Sequence, residues 1–197
     1  MIANILVAGV GGQGVMTAAE LLARTALASG LEATKTEFAG MSQRGGAVCS
    51  HVRIGERVGA SAIRAGSAQV LIVFESAEAL RYRDYLAPDG VAFVSTLRAV
   101  PPVVSSGAYA YPADPAAMLR ASGARVVEVD APGIAQSMGD ARLANSVMLG
   151  AASAALPLDA QVLEAELVRH FARDQRLARL NAEAFAAGQR RALAPVS

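Results

Sequence analysis

The sequence is poor in residues that bind metals or form cross-links. Cys49 is the only cysteine, and the two histidines are His51 and His170. One thiol cannot form an internal disulfide, and a protein-held iron–sulfur cluster needs about four thiolates. A zinc site needs three or four ligands, mostly from residue types that are scarce here. The composition therefore predicts that the chain itself holds no cluster and no metal ion.

The chain also lacks the features of membrane, secreted and nucleic-acid-binding proteins. It has no uninterrupted run of about 18 apolar residues, which a membrane-spanning helix requires. Residues Met1–Val7 carry no basic segment of the kind that opens a signal peptide. The net charge of +1 gives no general field for nucleic acid or an anionic membrane. We therefore expect a cytoplasmic protein.

The composition is that of a globular domain. Hydrophobic residues make up 53% and charged residues 18% of the 197 positions. A chain of this length is expected to bury roughly 70% of its unfolded surface. Much of the apolar fraction is alanine, so we expect a core of closely packed small side chains. No internal repeat or long linker is evident, and residues 1–197 are predicted to form a single domain.

The first forty residues show the pattern of a β-strand, a helix and a second strand. Asn4–Gly9 is an apolar run with β-branched residues, and Val15–Ser29 has apolar residues at helical spacing. Gly30 is placed to end the helix, and Leu31–Glu37 follows as a strand. A βαβ unit of this kind requires a parallel sheet.

Three further apolar runs and one alternating segment complete the predicted sheet. The runs are Gln69–Glu75, Val91–Ser95 and Arg125–Val129. Ala47–Ile54 alternates with period two, which predicts a strand with one wetter face and is compatible with an antiparallel direction relative to its neighbours. Cys49 and His51 share that wetter face. They could begin a metal or thiolate site, but no third ligand is in view, and we favour ordinary strand residues.

Between these runs the sequence predicts short connecting elements. A helix is expected around Ala79, Leu80 and Leu86, closed by a turn at Pro88–Gly90. Pro101–Pro115 is rich in proline, serine and glycine, and we expect a loop there, with at most a short edge strand.

The last third, about 140–191, is predicted to be helical. Three helices are expected: Asp140–Ala154, one from Pro157 to about Arg173, and Gln175–Arg191. In the first of these, Leu143, Val147, Ala151 and Ala154 form one apolar stripe. The predicted fold is therefore α/β: a three-layer, Rossmann-like, mostly parallel sheet with helices on both faces and a helical C-terminal third.

A glycine motif lies between the first strand and the first helix. Gly9, Gly11 and Gly14 satisfy G-x-G-x-x-G, which in a dinucleotide site allows a tight turn, close backbone approach to a pyrophosphate, and helix–strand packing. The following helix offers free N–H groups and a partial positive charge to an anion. Glu37 lies 23 residues after Gly14, about where a ribose-binding acid would be. Equally, the glycines could serve only the turn.

No second set of residues supplies chemistry to that motif. The sequence has neither the G-K-[ST] of a P-loop nor the G-x-S-x-G of a nucleophile elbow. We therefore predict no catalytic residue in this chain.

Several segments in order resemble one family, from Ile2 to Gly188. They are Gly9–Gly14, Thr36–Glu37, Gly40–Gly46, Ser50–Gly55, Glu78–Arg81, Asn145–Gly150 and Asn181–Gly188. The chain resembles the gamma-type domain of the 2-oxoacid:acceptor (pyruvate/ketoisovalerate) oxidoreductases. Its Gly-Met-Ser-Gln-Arg-Gly-Gly and Ser-His-Val-Arg segments are nearest to the branch of indolepyruvate:ferredoxin oxidoreductase beta subunits.

This resemblance implies oxidative decarboxylation of a 2-oxoacid, with coenzyme A as acyl acceptor and ferredoxin as electron acceptor. Thiamine diphosphate, Mg²⁺ and [4Fe-4S] clusters are expected in a large partner subunit, so this chain would be inactive alone. The residues agree, since one cysteine cannot hold a cluster and no Gly-Asp-Gly thiamine motif is present. The alternative is a free-standing Rossmann-type oxidoreductase that binds NAD(P) or FAD.

The candidate positions are loops that bind a cofactor or face the partner. They are Gly9, Gly11, Gly12, Gln13, Gly14, Glu37, Gly40, Arg44, Gly45, Gly46 and Asn145. Given the resemblance, the glycine turn serves the tight turn, packing against a partner, or an anionic group such as a coenzyme A phosphate.

Three of these side chains have two readings each. Arg44 either reaches a carboxylate or phosphate at a subunit interface or is a solvated turn residue. Glu37 pairs with Arg44 or Lys35 if it binds no ribose. Asn145 is a buried hydrogen-bonding residue in the middle of a helix in the first reading and a ligand in the second. The 2-oxoacid used and the stoichiometry of the complex are not encoded in any of these motifs.

Overall fold

The computed structural model describes residues 2–40, 46–100 and 110–193. Its centre is a six-stranded sheet in the order β2-β3-β1-β4-β5-β6. The strands are β1 Ile2–Val10, β2 Glu32–Ala39, β3 Ala47–Gly55, β4 Ala68–Val73, β5 Leu86–Ser95 and β6 Arg125–Val129.

The sheet is mixed, with one antiparallel strand. β1, β4, β5 and β6 pair in parallel, whereas β3 is antiparallel to both of its neighbours. The prediction of a mostly parallel α/β sheet is confirmed, as is the antiparallel direction of β3. One consequence was not predicted: β3 lies between β1 and β2, so the first βαβ unit spans an inserted strand. The register of β3 is continuous on both sides, from Ile2 opposite Gly55 to Val10 opposite Ala47 on the β1 side.

Helices cover both faces of the sheet, as predicted. They are α1 Val15–Ala28, α2 Glu78–Arg81, α3 Pro115–Ala121, α4 Ala131–Ser137, α5 Ala144–Ala152, α6 Ala160–His170 and α7 Gln175–Leu193. The apolar core on the first face joins the sheet to α1, α4, α5, α6 and α7. The core on the second face is smaller and joins it to α2, α3 and Ile63. No helix in the described part of the chain has both the length and the apolar character that crossing a membrane demands.

The C-terminal helices approach each other very closely. A Cβ on Gly150 of α5 would overlap the Phe185 carbonyl oxygen of α7, and one on Gly188 would overlap the Val147 carbonyl oxygen. Buried alanines flank this crossing, including Ala151. The expectation of a core built from small side chains therefore holds at this contact.

Two short helices, α3 and α4, were not predicted. Both start with an aspartate N-cap and a proline in the first turn. The Asp114 carboxylate accepts from the Ala117 N–H at 2.8 Å, and that of Asp130 accepts from the Gly133 N–H at 3.1 Å. The signal was present in the sequence, because aspartate followed by proline is typical of a helix start.

The segment around residues 78–90 differs from its prediction. The helix ends at Arg81, and Leu86 already belongs to β5. Pro88–Gly90 lies inside β5, where its pairing with β4 is irregular after Ala68, instead of forming a turn between elements. A strand irregularity can accommodate the turn-forming residues that suggested a loop.

Two of the C-terminal helices are shorter than predicted. The predicted helix Asp140–Ala154 has 3₁₀ turns at both ends, and Ala154 is exposed at the second one. α6 begins after Pro157, because the Asp159 carboxylate caps it by accepting from the Gln161 N–H at 2.7 Å, and it ends at His170.

Candidate functional site

The glycine turn connects β1 to α1 over residues 11–14. Gly12 has a φ of 96° and Gly14 a φ of 80°, which is the left-handed region that favours glycine. Gly9 meets a different demand, since a Cβ there would lie 2.6 Å from Gln13 Oε1 and 3.1 Å from Phe74 Cβ. The motif therefore provides two special backbone conformations and one close approach between strands.

Hydrogen bonds close the turn on itself. The Gln13 side-chain oxygen accepts from the Val10 N–H at 2.9 Å, and the Gln13 N–H donates to the Val10 carbonyl at 3.2 Å. The Gly11 N–H donates to the Gly46 carbonyl at 2.9 Å, and the Gly40 N–H donates to the Ala47 carbonyl at 2.8 Å. Gln13 thus shapes the turn, and Gly46 ties the start of β3 to it.

Asn145, at the start of α5, joins the helical part of the chain to the turn. Its Nδ2 donates to the Gly14 carbonyl at 2.8 Å and to the Gln13 carbonyl at 3.2 Å. A Cβ on Gly14 would be 2.5 Å from that nitrogen. The side chain forms hydrogen bonds, as in the first reading of Asn145, but it is half-buried and lies in the first turn of α5 instead of being buried in mid-helix.

A cavity of about 420 Å³ opens beside the turn. It lies at the carboxyl ends of β1, β4 and β5, which is where open α/β sheets bind their ligands. One wall is the turn and the first residues of α1, and the others come from strand ends and C-terminal helices. Lining residues include Thr17, Phe74, Ser95, Leu97, Arg142 and Phe171.

The charge around this cavity favours anions over cations. α1 has no acidic residue in its first turn and no side-chain cap, and Gly14 and Thr17 line the cavity. The partial positive charge of the helix N-terminus therefore faces this side. Arg142 is exposed at the cavity and pairs with Asp140 at 2.6 Å. Hydrogen bonds from Arg142 lower the pKa of Asp140 to about 2.

Glu37 lies apart from the turn, on the edge strand β2. Because β3 separates β2 from β1, the two strands are about 10 Å apart instead of adjacent. The Glu37 carboxylate accepts from Lys35 Nζ at 2.8 Å, and Lys35 also pairs with Glu20 at 3.1 Å. These two carboxylates raise the pKa of Lys35, with the hydrogen bond to Glu37 as the main cause. Of the two ion pairs considered for Glu37, the structure contains the one with Lys35.

The predicted positions Arg44 and Gly45 lie outside the described residues, as do Met41–Gln43 between them and Gly40. Their interface role stays a prediction.

The face of β3 that carries Cys49 and His51 is not wet, so that prediction was wrong. Cys49 is 4% and His51 3% exposed, because α2, the Ile63 segment and Tyr85 cover them. Nδ1 of His51 accepts from the Ile63 N–H at 3.0 Å. Burial lowers the pKa of His51 and raises that of the Cys49 thiol. Within the described residues, no three His, Cys, Asp or Glu side chains form a group that could hold a metal ion.

The sequence did not identify the other walls of the cavity. Arg142 was visible only as a residue near a predicted helix start, and Phe74 only as part of an apolar run. Leu97 and Phe171 come from segments more than 70 residues apart, and no local pattern shows that they meet.

Comparison with known proteins identifies the family. Residues 4–191 match the family model described as pyruvate ferredoxin/flavodoxin oxidoreductase. The chain belongs to this family. The resemblance inferred from the sequence motifs is therefore confirmed.

One relative and two solved structures illustrate the relationship. The indolepyruvate oxidoreductase subunit IorB of Archaeoglobus fulgidus is 42% identical over 149 residues, which cover 75% of this chain and 74% of the relative. The gamma subunit of a keto/oxoacid ferredoxin oxidoreductase from Geobacter sulfurreducens superposes with a TM-score of 0.71 at 23% identity, covering 97% of this chain and 98% of that one.

A 2-oxoglutarate:ferredoxin oxidoreductase from Magnetococcus marinus, with 2-oxoglutarate, coenzyme A and succinyl-CoA bound, superposes with a TM-score of 0.75 at 21% identity. The match covers 97% of this chain but only 31% of that one. At such identities the two structural matches establish the shared fold.

Proposed function

We propose that this chain is the non-cofactor subunit of a 2-oxoacid:ferredoxin oxidoreductase of the indolepyruvate type. The complex would decarboxylate an aryl pyruvate oxidatively, form the acyl-CoA and pass electrons to ferredoxin. The observation that carries this proposal is the 42% identity to an indolepyruvate oxidoreductase subunit over three quarters of both chains.

In this proposal the redox chemistry takes place in a large partner subunit. Thiamine diphosphate with Mg²⁺ would supply the carbanion chemistry there, and [4Fe-4S] clusters would carry the electrons. The donor set of this chain does not fit a cluster, since its single cysteine, Cys49, is buried beneath α2. The residues of this chain would instead bind and position a ligand of the complex.

We propose that the glycine turn and the adjoining cavity receive an anionic group of coenzyme A. The uncapped start of α1 and the guanidinium of Arg142 suit a phosphate, and backbone N–H groups at a helix N-terminus bind such groups. A structural relative is described with coenzyme A bound, which supports the same ligand class here. Arg142 would exchange part of its pairing with Asp140 for the phosphate.

We further propose that the partner subunit covers the end of the sheet at which β1 terminates and the glycine turn lies. Three large apolar side chains are exposed: Met16 in the first turn of α1 at 53%, Phe38 near the end of β2 at 51%, and Val100, which follows β5, at 47%. Exposed apolar groups of this size are typical of interaction surfaces when they cluster. In the sequence, the predicted interface residue Arg44 lies between β2 and β3.

The central test is reconstitution. The isolated chain is expected to be colourless and inactive, and the complex with its large subunit is expected to reduce ferredoxin when given indolepyruvate and coenzyme A. A stoichiometric flavin or iron–sulfur spectrum in the pure chain would contradict the proposal. So would full activity of the large subunit without this chain.

Binding measurements separate this function from a nicotinamide enzyme. NAD(H) is expected to bind the isolated chain with a Kd above about 1 mM, which corresponds to only about −4 kcal/mol. The physical reason is that β3 moves Glu37 away from the turn and Lys35 engages its carboxylate. Calorimetry that shows micromolar NAD(H) binding would favour the Rossmann-type oxidoreductase instead.

A further inference from the structure

Glu75 carries a buried carboxylate and lies two residues after the central strand β4, which ends at Val73. The residue is 2% exposed and follows Phe74, which lines the cavity beside the glycine turn. Burying a carboxylate opposes folding unless hydrogen bonds compensate for the lost hydration, and an apolar residue of similar size is often more stabilising. Its presence at this position therefore calls for a reason other than core stability.

Three donors converge on this carboxylate. Oε1 accepts from the Ala99 N–H at 3.0 Å and from the Tyr111 hydroxyl at 2.5 Å, and Oε2 accepts from the Glu78 N–H at 3.1 Å. Ala99 and Tyr111 lie 24 and 36 residues further along the chain. The carboxylate thus binds two segments that are remote from Glu75 in sequence and 12 residues (36 − 24) from each other.

Arg98 joins the same two segments from the other side. Its guanidinium lies 4.6 Å from the centre of the Tyr111 ring and donates to the carbonyls of Pro112 at 3.1 Å and Ala113 at 3.2 Å. We call the set Glu75, Arg98, Ala99 and Tyr111 the Glu75 clasp. It fixes residues 97–99 against residues 111–113.

The clasp is directly connected to the cavity wall. Ser95 and Leu97 line the cavity, and the Leu97 N–H donates to the Ser95 hydroxyl at 3.2 Å. The Leu97 carbonyl accepts from the Ser76 N–H at 2.8 Å, next to Glu75 in the chain. Two residues after Leu97, Ala99 is held by the Glu75 carboxylate. Glu75 itself does not line the cavity, so any effect on a ligand there passes through this wall.

We propose that Glu75 is a positioning residue for the coenzyme A site, because its clasp sets the wall at Ser95 and Leu97 opposite the glycine turn. This inference rests on the proposed function. The clasp holds the wall in the conformation that binds the ligand, so loosening it weakens ligand binding and leaves the chemistry in the partner subunit unchanged.

The test compares Tyr111→Phe with wild type in the reconstituted complex. Phenylalanine keeps the ring under Arg98 and removes only the hydroxyl donor to Glu75. Tyr85→Phe is the matched control, since Tyr85 is a half-buried tyrosine outside the clasp. For Tyr111→Phe the KM for coenzyme A is expected to rise roughly 3- to 10-fold, which is less than the full loss of a hydrogen bond to a charged group because the change reaches the ligand only through the wall. Values of kcat and of the KM for the 2-oxoacid are expected to stay within about two-fold of wild type.

A second measurement reports on the mobility of the cavity wall at Leu97 and Ala99. Amide hydrogen exchange at Leu97 and Ala99 is expected to become faster in isolated Tyr111→Phe and to remain unchanged in Tyr85→Phe. Glu75→Gln, which keeps the size of the side chain and removes its charge, is expected to change the KM for coenzyme A in the same direction.

Three results would overturn the positioning role. Faster exchange with an unchanged KM for coenzyme A would show that the clasp is structural only. A parallel loss of kcat, both KM values and melting temperature would show general destabilisation. A wild-type complex without turnover dependent on coenzyme A would reject the proposed function, and the positioning role with it, before any variant is compared.

Discussion

The two faces of the sheet differ in how they are covered. Five helices cover the first face and join it in a large apolar core, whereas two short helices and the Ile63 segment cover the second. Beneath that thin cover lie the buried side chains Cys49, His51, Glu75 and Glu78. Apolar packing on the first face stabilises the fold by excluding water. On the second face, polar contacts between distant segments hold particular loops in place at some cost in stability.

The largest effect on stability is expected for a substitution on the first face, at the crossing of α5 and α7. Gly150→Ala would place a methyl group into the Phe185 carbonyl, so the helices must separate. Overpacking against backbone is expected to lower the free energy of unfolding by about 3 kcal/mol or more. Gly59→Ala is the control, because its Cβ would meet no atom within 4 Å. Equal urea midpoints for the two variants would show that the helix crossing is not tightly packed.

A smaller loss of stability is expected for a substitution where the first face meets the glycine turn. Asn145→Ala removes two hydrogen bonds and leaves the Gln13 and Gly14 carbonyls without them. The expected loss is about 1–3 kcal/mol of unfolding free energy, measured by chemical denaturation. Leu and Met at this position would restore helix packing but not the bonds. Full recovery by Asn145→Leu would therefore indicate that the amide contributes nothing.

The first face also contains a buried polar side chain, and we expect its replacement by an apolar one to stabilise the protein. In the described part of the chain, Ser50 Oγ is fully buried and has no hydrogen-bond partner. Since an unsatisfied buried hydroxyl opposes folding, Ser50→Ala is expected to raise the unfolding free energy by about 1 kcal/mol. Ser146→Ala, which loses a 2.6 Å bond to Asn181, should lower it instead. Destabilisation of both variants would contradict this prediction, because it would show that the Ser50 hydroxyl stabilises the fold.

The smallest effect belongs to the second face and depends on pH. Burial raises the pKa of Glu78, with Glu75 adding to the shift and Arg81 opposing it. The folded chain then binds this proton more tightly than the unfolded chain, so stability falls as pH rises from the ordinary value of 4.5 through the raised pKa.

Glu78→Gln should remove this loss of stability at higher pH, because glutamine does not titrate. Its melting temperature is expected to match wild type near pH 4 and to exceed it by roughly 2 °C at pH 8. A constant difference across this range would mean that Glu78 titrates normally. Glu183→Gln on exposed helix surface is the control for a general change in charge.

The sequence predicted most elements because their signals are local. β1, β4 and β6 are apolar runs, and α1 and α7 have clear helical spacing, so each could be placed within a few residues. The strand order could not be predicted, because β3 enters between β1 and β2 through pairings that only the folded chain brings together. α3 and α4 were missed because each is a single seven-residue segment without an extended apolar stripe.

The candidate site was predicted in part for the same reason. The turn glycines and Gln13 form one contiguous motif, and the structure assigns them special conformations and contacts. Asn145 was placed on a helix, but its contact with a turn 131 residues earlier is not visible in the sequence. Glu75 was read only as the last residue of a strand, since its partners Ala99 and Tyr111 depend on tertiary structure.

The close crossing of α5 and α7 also has a consequence for synthesis. α5 emerges from the ribosome before α7, which supplies the backbone that Gly150 faces. From the end of α5 at Ala152 to the end of α7 at Leu193 the ribosome adds 41 residues (193 − 152), which at about 5–20 residues per second takes roughly 2–8 seconds. During that interval the inner surface of α5 lacks its partner, and the cavity lacks the wall that includes Asn181. The nascent subunit is therefore open to chaperones, and to misassembly, until α7 has been made.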